Sequence, residues 1–350
     1  MIKRKIEDEW LFFFSLLGVV LTSIYLRRFP KYSLKDFKIV YTLFIFLVLI
    51  KGLERSGFLM YLAYKFQKGK FLPQKLIFLT SILSMFITND VALLTIVPLT
   101  LKLKTNGIEY LVILEIITAN GISALTPFGN PQNIFIYFYY HLHPAEFIEA
   151  IAPFVLTSFT FVVILSFIVK ISFSKSKSKI VKFNRKTSSI YLIFFLLFIL
   201  AILKLLSLWI GIFILTYVIL LDRKNLKIDY FLLATFLTFF GFTDNLMKIL
   251  RIQFKNNIQI FLYSALASQL MSNVPSALFF ADFTSNWKPL LWGVSVGGFG
   301  NLIGSLASLI SYRLYKSKFP TSKKFLIEFH LLNYIAFFLG ITAYSCFYIL

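Results

Sequence analysis

Apolar runs of membrane-spanning length recur from end to end of this 350-residue chain. They confine it to folds that satisfy backbone polar groups inside each span. Only 15% of residues are charged against 58% hydrophobic, and the charges fall largely in short connecting stretches. The runs at 10–26, 37–50, 147–169, 189–203, 205–221, 229–243 and 325–350 read as helical spans. Residues 188–221 carry Lys204 as their only charge and are too long for one crossing at about 1.5 Å per residue, so they read as two short spans turning near Lys204. Segment 58–66 is short and amphipathic and reads as an interfacial helix. Acidic residues precede the first apolar run and no small-residue cleavage site follows it, so it reads as a retained span. The sequence predicts an all-α polytopic membrane protein.

A net charge of +21 would suggest nucleic acid in a soluble protein. Here Lys and Arg flank apolar segments, where the positive-inside bias and anionic headgroups account for them, and no nucleic-acid partner is expected. One cysteine, Cys346, excludes a disulfide framework or Cys-based metal site within one chain, and His141, His143 and His330 lack zinc spacing. No Walker loop or dinucleotide fingerprint is present, which argues against ATP-driven transport on this chain, and no enzymatic activity or cofactor is expected. The loop 171–186 has six basic residues and no acid, which marks it as cytoplasmic. Alternation outward from it places the N-terminus in the cytoplasm and the C-terminus outside, in a multi-pass cell-membrane protein. The basic stretch 27–38 then falls outside, against the trend.

The two halves resemble each other. Residues 83–100, "LSMFITNDVALLTIVPLT", lie over 267–284, "ASQLMSNVPSALFFADFT", matching Ser84 to Ser268, Asn89 to Asn273 and Thr100 to Thr284. Further on, "TPFGNPQN" (126–133) lies over "GGFGNLIG" (297–304), sharing Phe-Gly-Asn. The chain divides into a first repeat (1–170), a basic loop with a connecting helix (171–204) and a second, inverted repeat (205–350). Each repeat holds a re-entrant hairpin (72–104 and 258–284) and a broken transmembrane helix (108–140 and 290–312). Inverted repeats are a recurrent architecture of secondary transporters.

Twelve helical residues, 76–87, rise about half a bilayer core, which sets Thr88, Asn89 and Asp90 near the midplane. Non-helical backbone survives there only when protein buries it or a wet cavity lines it. Gly121, Pro127, Gly129 and Pro131 break the next span, where Asn130, Gln132 and Asn133 add neutral polar groups. Ser272-Asn273-Val274-Pro275 and Gly297-Gly298-Phe299-Gly300-Asn301 supply the same parts in the second half. Helix ends at midplane offer donors to anions and carbonyls to cations.

The "TNDVALLTIVPL…GNPQN" and "SNVPS…GGFGN" runs resemble the ion transporter superfamily, which holds citrate and dicarboxylate permeases, arsenite permeases and an Asn-Asp-bearing Na+/H+ antiporter branch. The resemblance covers nearly the whole chain and is closest to small bacterial anion-transporter-like permeases. It implies substrate and ion binding at Thr88, Asn89, Asp90, Thr126, Gly129, Asn130, Ser272, Asn273, Gly300 and Asn301. Sodium falls to Thr88, Asn89, Gly129, Ser272, Asn273 and Gly300. A small anionic substrate, Na+ or H+ as coupling ion, and a homodimer are further expectations. Asp90 stands where dicarboxylate carriers have a small hydroxyl residue, and Val274 fills the matching position of the second half. Arsenite or antimonite efflux and Na+/H+ antiport through Asp90 therefore stay open beside anion transport.

An intramembrane carboxylate is functional by default, although Asp90 also suits an N-terminal helix cap. Glu115 is the second candidate coupling carboxylate, with a structural Lys pair as its alternative. Lys51 and Arg55 read as interfacial charges or as groups reaching towards an anion. Gly304 and Ser305 read as helix packing or as site residues.

Overall fold

A computed structural model describes residues 9–66, 71–168, 173–174, 183–250, 253–254, 256–321 and 323–348. Among these, regular structure is helical apart from a two-residue antiparallel pairing of Lys104–Thr105 with Phe173–Ser174. Most of the 171–186 loop lies outside the described residues.

Helices α1 (Trp10–Leu26) and α2 (Leu34–Arg55) precede a short α3 (Phe58–Phe66). A helical hairpin follows, α4 (Leu72–Ile87) and α5 (Asn89–Thr100), turning at Thr88. Next comes a broken helix, α6 (Ile108–Ile122) and α7 (Pro131–Tyr139), and then the long α8 (Pro144–Ile168). After α9 (Arg185–Ile202) the order recurs. Two helices, α10 (Ile210–Leu221) and α11 (Tyr230–Leu250), lead to a hairpin, α12 (Asn257–Met271) and α13 (Asn273–Ala281). A broken helix, α14 (Trp287–Val296) and α15 (Leu306–Lys318), and the long α16 (Lys324–Tyr348) complete the chain. The chain reverses between α9 and α10, with Lys204 at φ 64°.

Local sequence explains the boundaries. Ser33 and Asp36 form a reciprocal capping box that starts α2. Asn130 caps α7 by accepting from Asn133 N at 2.9 Å, with Pro131 at the first helical position, where no N–H is needed. Asn184 and Asn256 cap α9 and α12 in the same way.

Connections sort to two ends of the bundle. At one end Asn184 N donates to Ser56 O at 3.0 Å, Arg55 donates to Asn225 at 2.5 Å, and Lys324 pairs with Glu109 at 2.8 Å. This loop end also bears the start of α1, where Glu9 and Trp10 face Asp229 and Arg313 across a crevice. At the far end Arg28 pairs with Asp244, Tyr139 donates to Asp282, and Lys204 donates to Leu142 O at 2.5 Å. Trp10 and Tyr348 thus lie at opposite ends, since the Tyr348 hydroxyl reaches Ala150 O near the far-end start of α8.

Among the described residues, five stretches are long and apolar enough to cross a membrane: Ile108–Leu125, Pro144–Ile168, Arg185–Ile202, Tyr230–Leu250 and Lys324–Tyr348. In Ile108–Leu125, 83% of the residues are buried in protein and the segment forms the centre, whereas in the apolar window of Pro144–Ile168 33% are buried and Leu156, Ile164, Phe167 and Ile168 face outward. That outward apolar surface is what a lipid environment requires.

Candidate functional site

Both hairpin tips are buried and built alike. Thr88 stands at φ 77°, ψ 147° and Ser272 at φ 71°, ψ 159°, a region nearly restricted to glycine. This conformation turns the chain within one residue and starts the returning helix at Asn89 or Asn273. In the first tip Asn89 N donates to Gly129 O at 3.2 Å, so the tip is hydrogen-bonded to the helix break beside it. In the second, Asn273 N donates to Gly304 O at 3.0 Å.

That second bond corrects the register between the halves. The shared Phe-Gly-Asn pairs Gly129 with Gly300 and Asn130 with Asn301, but in space Gly304 and Ser305 take the places of Gly129 and Asn130. Asn130 and Ser305 are the extended residues that open α7 and α15. Independently, Thr126 Oγ1 donates to Met85 O at 2.5 Å, and Asn301 Nδ2 donates to Gln269 O at 2.8 Å. Met85 and Gln269 already match in the hairpin alignment, so Asn301 is the counterpart of Thr126. Gly300 is set back from the tip. Its N–H donates to Asn333 O at 3.3 Å, and Gln269 Oε1 occupies the space a Cβ would need, at 2.2 Å. Gly129 is equally confined, with Ser123 O 2.0 Å from a Cβ position.

Asn120, which sequence reasoning passed over, joins the two halves. Its Oδ1 accepts from Asn89 Nδ2 at 3.0 Å and from Ser305 Oγ at 2.9 Å. Its Nδ2 donates to Ser308 Oγ at 2.9 Å and to Gly298 O at 3.3 Å. The N-termini of α7, α5, α15 and α13 therefore stand in one continuous row, linked through Gly129, Asn89, Asn120, Ser305, Gly304 and Asn273. Asn133 fixes the first break by donating to the carbonyls of Ala124 and Thr126, at 3.1 and 2.8 Å. Gln269 fixes the second by donating to those of Gly297 and Phe299, at 2.8 and 2.9 Å. A single polar residue just ahead of Gly121 was the only sequence signal for Asn120.

The carboxylates separate. Asp90 is half-buried at the start of α5, and its side chain makes no hydrogen bond to another described residue. Its N–H donates to Asn89 Oδ1 at 3.0 Å, and Asp229 is a like charge within coulombic reach. Glu115 is fully buried away from the tips. Its Oε1 accepts from Thr100 at 2.5 Å, its Oε2 has no partner, and no Lys pairs with it among the described residues. Arg55 engages Asn225 and Asp222, and Lys51 pairs with Glu54, so both belong to the loop-end surface.

A crevice of about 140 Å³ enters from the loop end and reaches Ser272 and Ser305, passing Asp229 and Arg313. Buried helix breaks, hairpin tips and lipid-facing flanks define a polytopic membrane protein with a polar centre.

Comparison with known proteins agrees. The family model described as "Citrate transporter" (CitMHS) matches residues 11–297, and this chain belongs to that family of membrane transporters. It is 34% identical, over 89% of its length and 90% of the relative's, to an uncharacterized transporter of Methanocaldococcus jannaschii. It is also 32% identical to the inner membrane protein YbiR of Escherichia coli, over 86% of this chain and 87% of that one.

Proposed function

We propose that this protein is a secondary active transporter that carries a small anion, a carboxylate or an inorganic oxyanion, coupled to Na+ or H+ by alternating access. The observation that carries this reading is the row of four helix N-termini at buried depth. Each contributes roughly half a positive charge, so an anion is favoured there without a lysine or arginine at the tips. Two inverted repeats, 1–170 and 205–350, supply one hairpin and one break each. The recurrence of element order and the twin tip conformations support them. Thr88, Asn89 and Gly129 form one candidate sodium position, and Ser272, Asn273 and Gly304 form the other, with Gly304 replacing Gly300. The loop end is cytoplasmic, so the crevice to Ser272 and Ser305 opens inward. The family's name puts citrate first among substrates to test.

The test is reconstitution into liposomes with citrate, dicarboxylates, sulfate and arsenite under imposed Na+ or H+ gradients. Gradient-driven uptake of one anion, lost in Asn89→Ala and Asn273→Ala, is the expected result. A second reading, Na+/H+ antiport at Asp90, draws support from a carboxylate beside the row whose side chain has no hydrogen-bond partner among the described residues. Na+ flux against H+ without any anion would establish it and displace the first.

A further inference from the structure

A trench of about 670 Å³ runs along the far end, between the start of α2, the end of α7 and the link from α9 to α10. Tyr41, Phe138, Leu208 and Trp209 make its apolar walls, and the ammonium groups of Lys38 and Lys204 stand on it. The Tyr41 hydroxyl donates to Leu208 O at 3.0 Å and fixes the link against α2. Trp209 is 77% exposed, and its neighbours Leu205 and Phe37 are exposed as well, so the trench opens where lipid tails and headgroups meet.

The two lysines have no carboxylate partner among the described residues. Lys204 Nζ donates to the carbonyls of Leu142 and His141, at 2.5 and 3.3 Å, and lies 5.1 Å from the Tyr137 ring centroid. Lys38 Nζ lies 5.5 Å from the Phe138 ring centroid. Burial lowers the Lys204 pKa, the Lys38 charge lowers it further, and Glu146 opposes them. The pKa of His141 is lowered by burial and then by Lys35, Lys204 and Lys38. The cluster therefore holds a positive excess that its own acids leave uncancelled, at the head of an apolar trench. That pairing of charge with a long apolar wall matches one occupant: an anionic headgroup joined to an acyl chain.

We propose that this trench binds an anionic phospholipid, its phosphate held between Lys38 and Lys204 and its acyl chain laid along Tyr41, Phe138 and Trp209.

The experiment uses the full-length protein in mild detergent, with native mass spectrometry and thermal unfolding as readouts. The probes are phosphatidylglycerol, phosphatidylcholine with the same acyl chains, and inorganic phosphate. Phosphatidylglycerol is retained and raises the unfolding midpoint more than phosphatidylcholine does. Lys38→Gln weakens phosphatidylglycerol binding about fivefold and the Lys38→Gln/Lys204→Gln pair about twenty-five-fold, with phosphatidylcholine binding unchanged. Lys204→Arg retains the preference. Since Lys204 also caps two carbonyls, Lys38→Gln alone decides the matter if the double variant does not fold. Equal binding of the two lipids, or an unchanged preference in Lys38→Gln, overturns the proposal. So does equal protection by phosphate alone, which assigns an anion site without a lipid. Efficient Trp209→Cys cross-linking between copies in phosphatidylglycerol assigns the trench to a second copy and overturns it too.

Discussion

Thr88 and Ser272, in separate halves of the chain, hold nearly the same backbone conformation, at φ 77° and 71°. Neither is glycine, and each such residue stores about 1–3 kcal/mol of strain. Thr88→Gly and Ser272→Gly release it, against an entropic cost of about 0.5–1 kcal/mol. The expected outcome is an unfolding midpoint equal to wild type or higher, together with reduced flux, because the tip hydroxyl is gone. Thermal unfolding in detergent and liposome flux check the two halves of this statement. A lower midpoint would show that the tips are not strained.

Asn120→Ala should be the most damaging single change at the centre. It removes four side-chain hydrogen bonds and leaves Asn89 Nδ2 and Gly298 O buried without those partners. A buried unsatisfied group costs about 1–3 kcal/mol, so the two together cost about 2–6 kcal/mol in stability. Flux should fall at least tenfold, because Asn120 hydrogen-bonds both the first tip and the second break. Asn120→Asp keeps the acceptor and loses both donors, and it should fall between wild type and Asn120→Ala in unfolding midpoint.

The two buried-segment carboxylates should behave differently under proton gradients. Asp90 stands half-buried at the row of helix ends, while Glu115 is sealed behind Thr100 with no exposed surface. Asp90→Asn should flatten the pH dependence of flux in liposomes. Glu115→Gln should leave that dependence in place and alter thermal stability by about 1–3 kcal/mol through its single hydrogen-bonded oxygen. A flat pH profile in Glu115→Gln alone would reverse the assignment.

Much of the fold was legible because hydropathy and helix breakers act locally. The α1 span is the one drawn from the sequence, and the reversal at Lys204 and the helix at 58–66 fall where length and amphipathicity put them. The hairpin match was legible too, because Asn89 and Asn273 sit at identical offsets from Ser84 and Ser268. The break misled, because Phe-Gly-Asn recurs at two different depths. In the first half the Gly bonds the tip, whereas in the second Gly300 bonds Asn333 instead and the next glycine, Gly304, meets the tip. No local pattern marks which carbonyl meets a tip, since that depends on how many residues each break spans. Asn120 was illegible for the same reason, as its partners lie in the other half.

His141 reports on the charge cluster at the far end and supplies a pH test. Burial, followed by Lys35, Lys204 and Lys38, holds its pKa below the ordinary 6.5. The unfolded chain therefore takes up a proton more readily than the folded one below about pH 6.5. The contribution of His141 to stability is intact above that pH and is lost as pH falls towards the lower folded value. His141→Gln should remove this acid-side slope in thermal unfolding. An anionic lipid between Lys38 and Lys204 offsets the lysine charges, so the His141 pKa should move up in phosphatidylglycerol nanodiscs relative to phosphatidylcholine ones. Histidine-selective ¹⁵N NMR, with His143→Gln and His330→Gln spectra assigning the signals, measures that shift. An identical titration in both lipids would show that no anion sits beside the lysines.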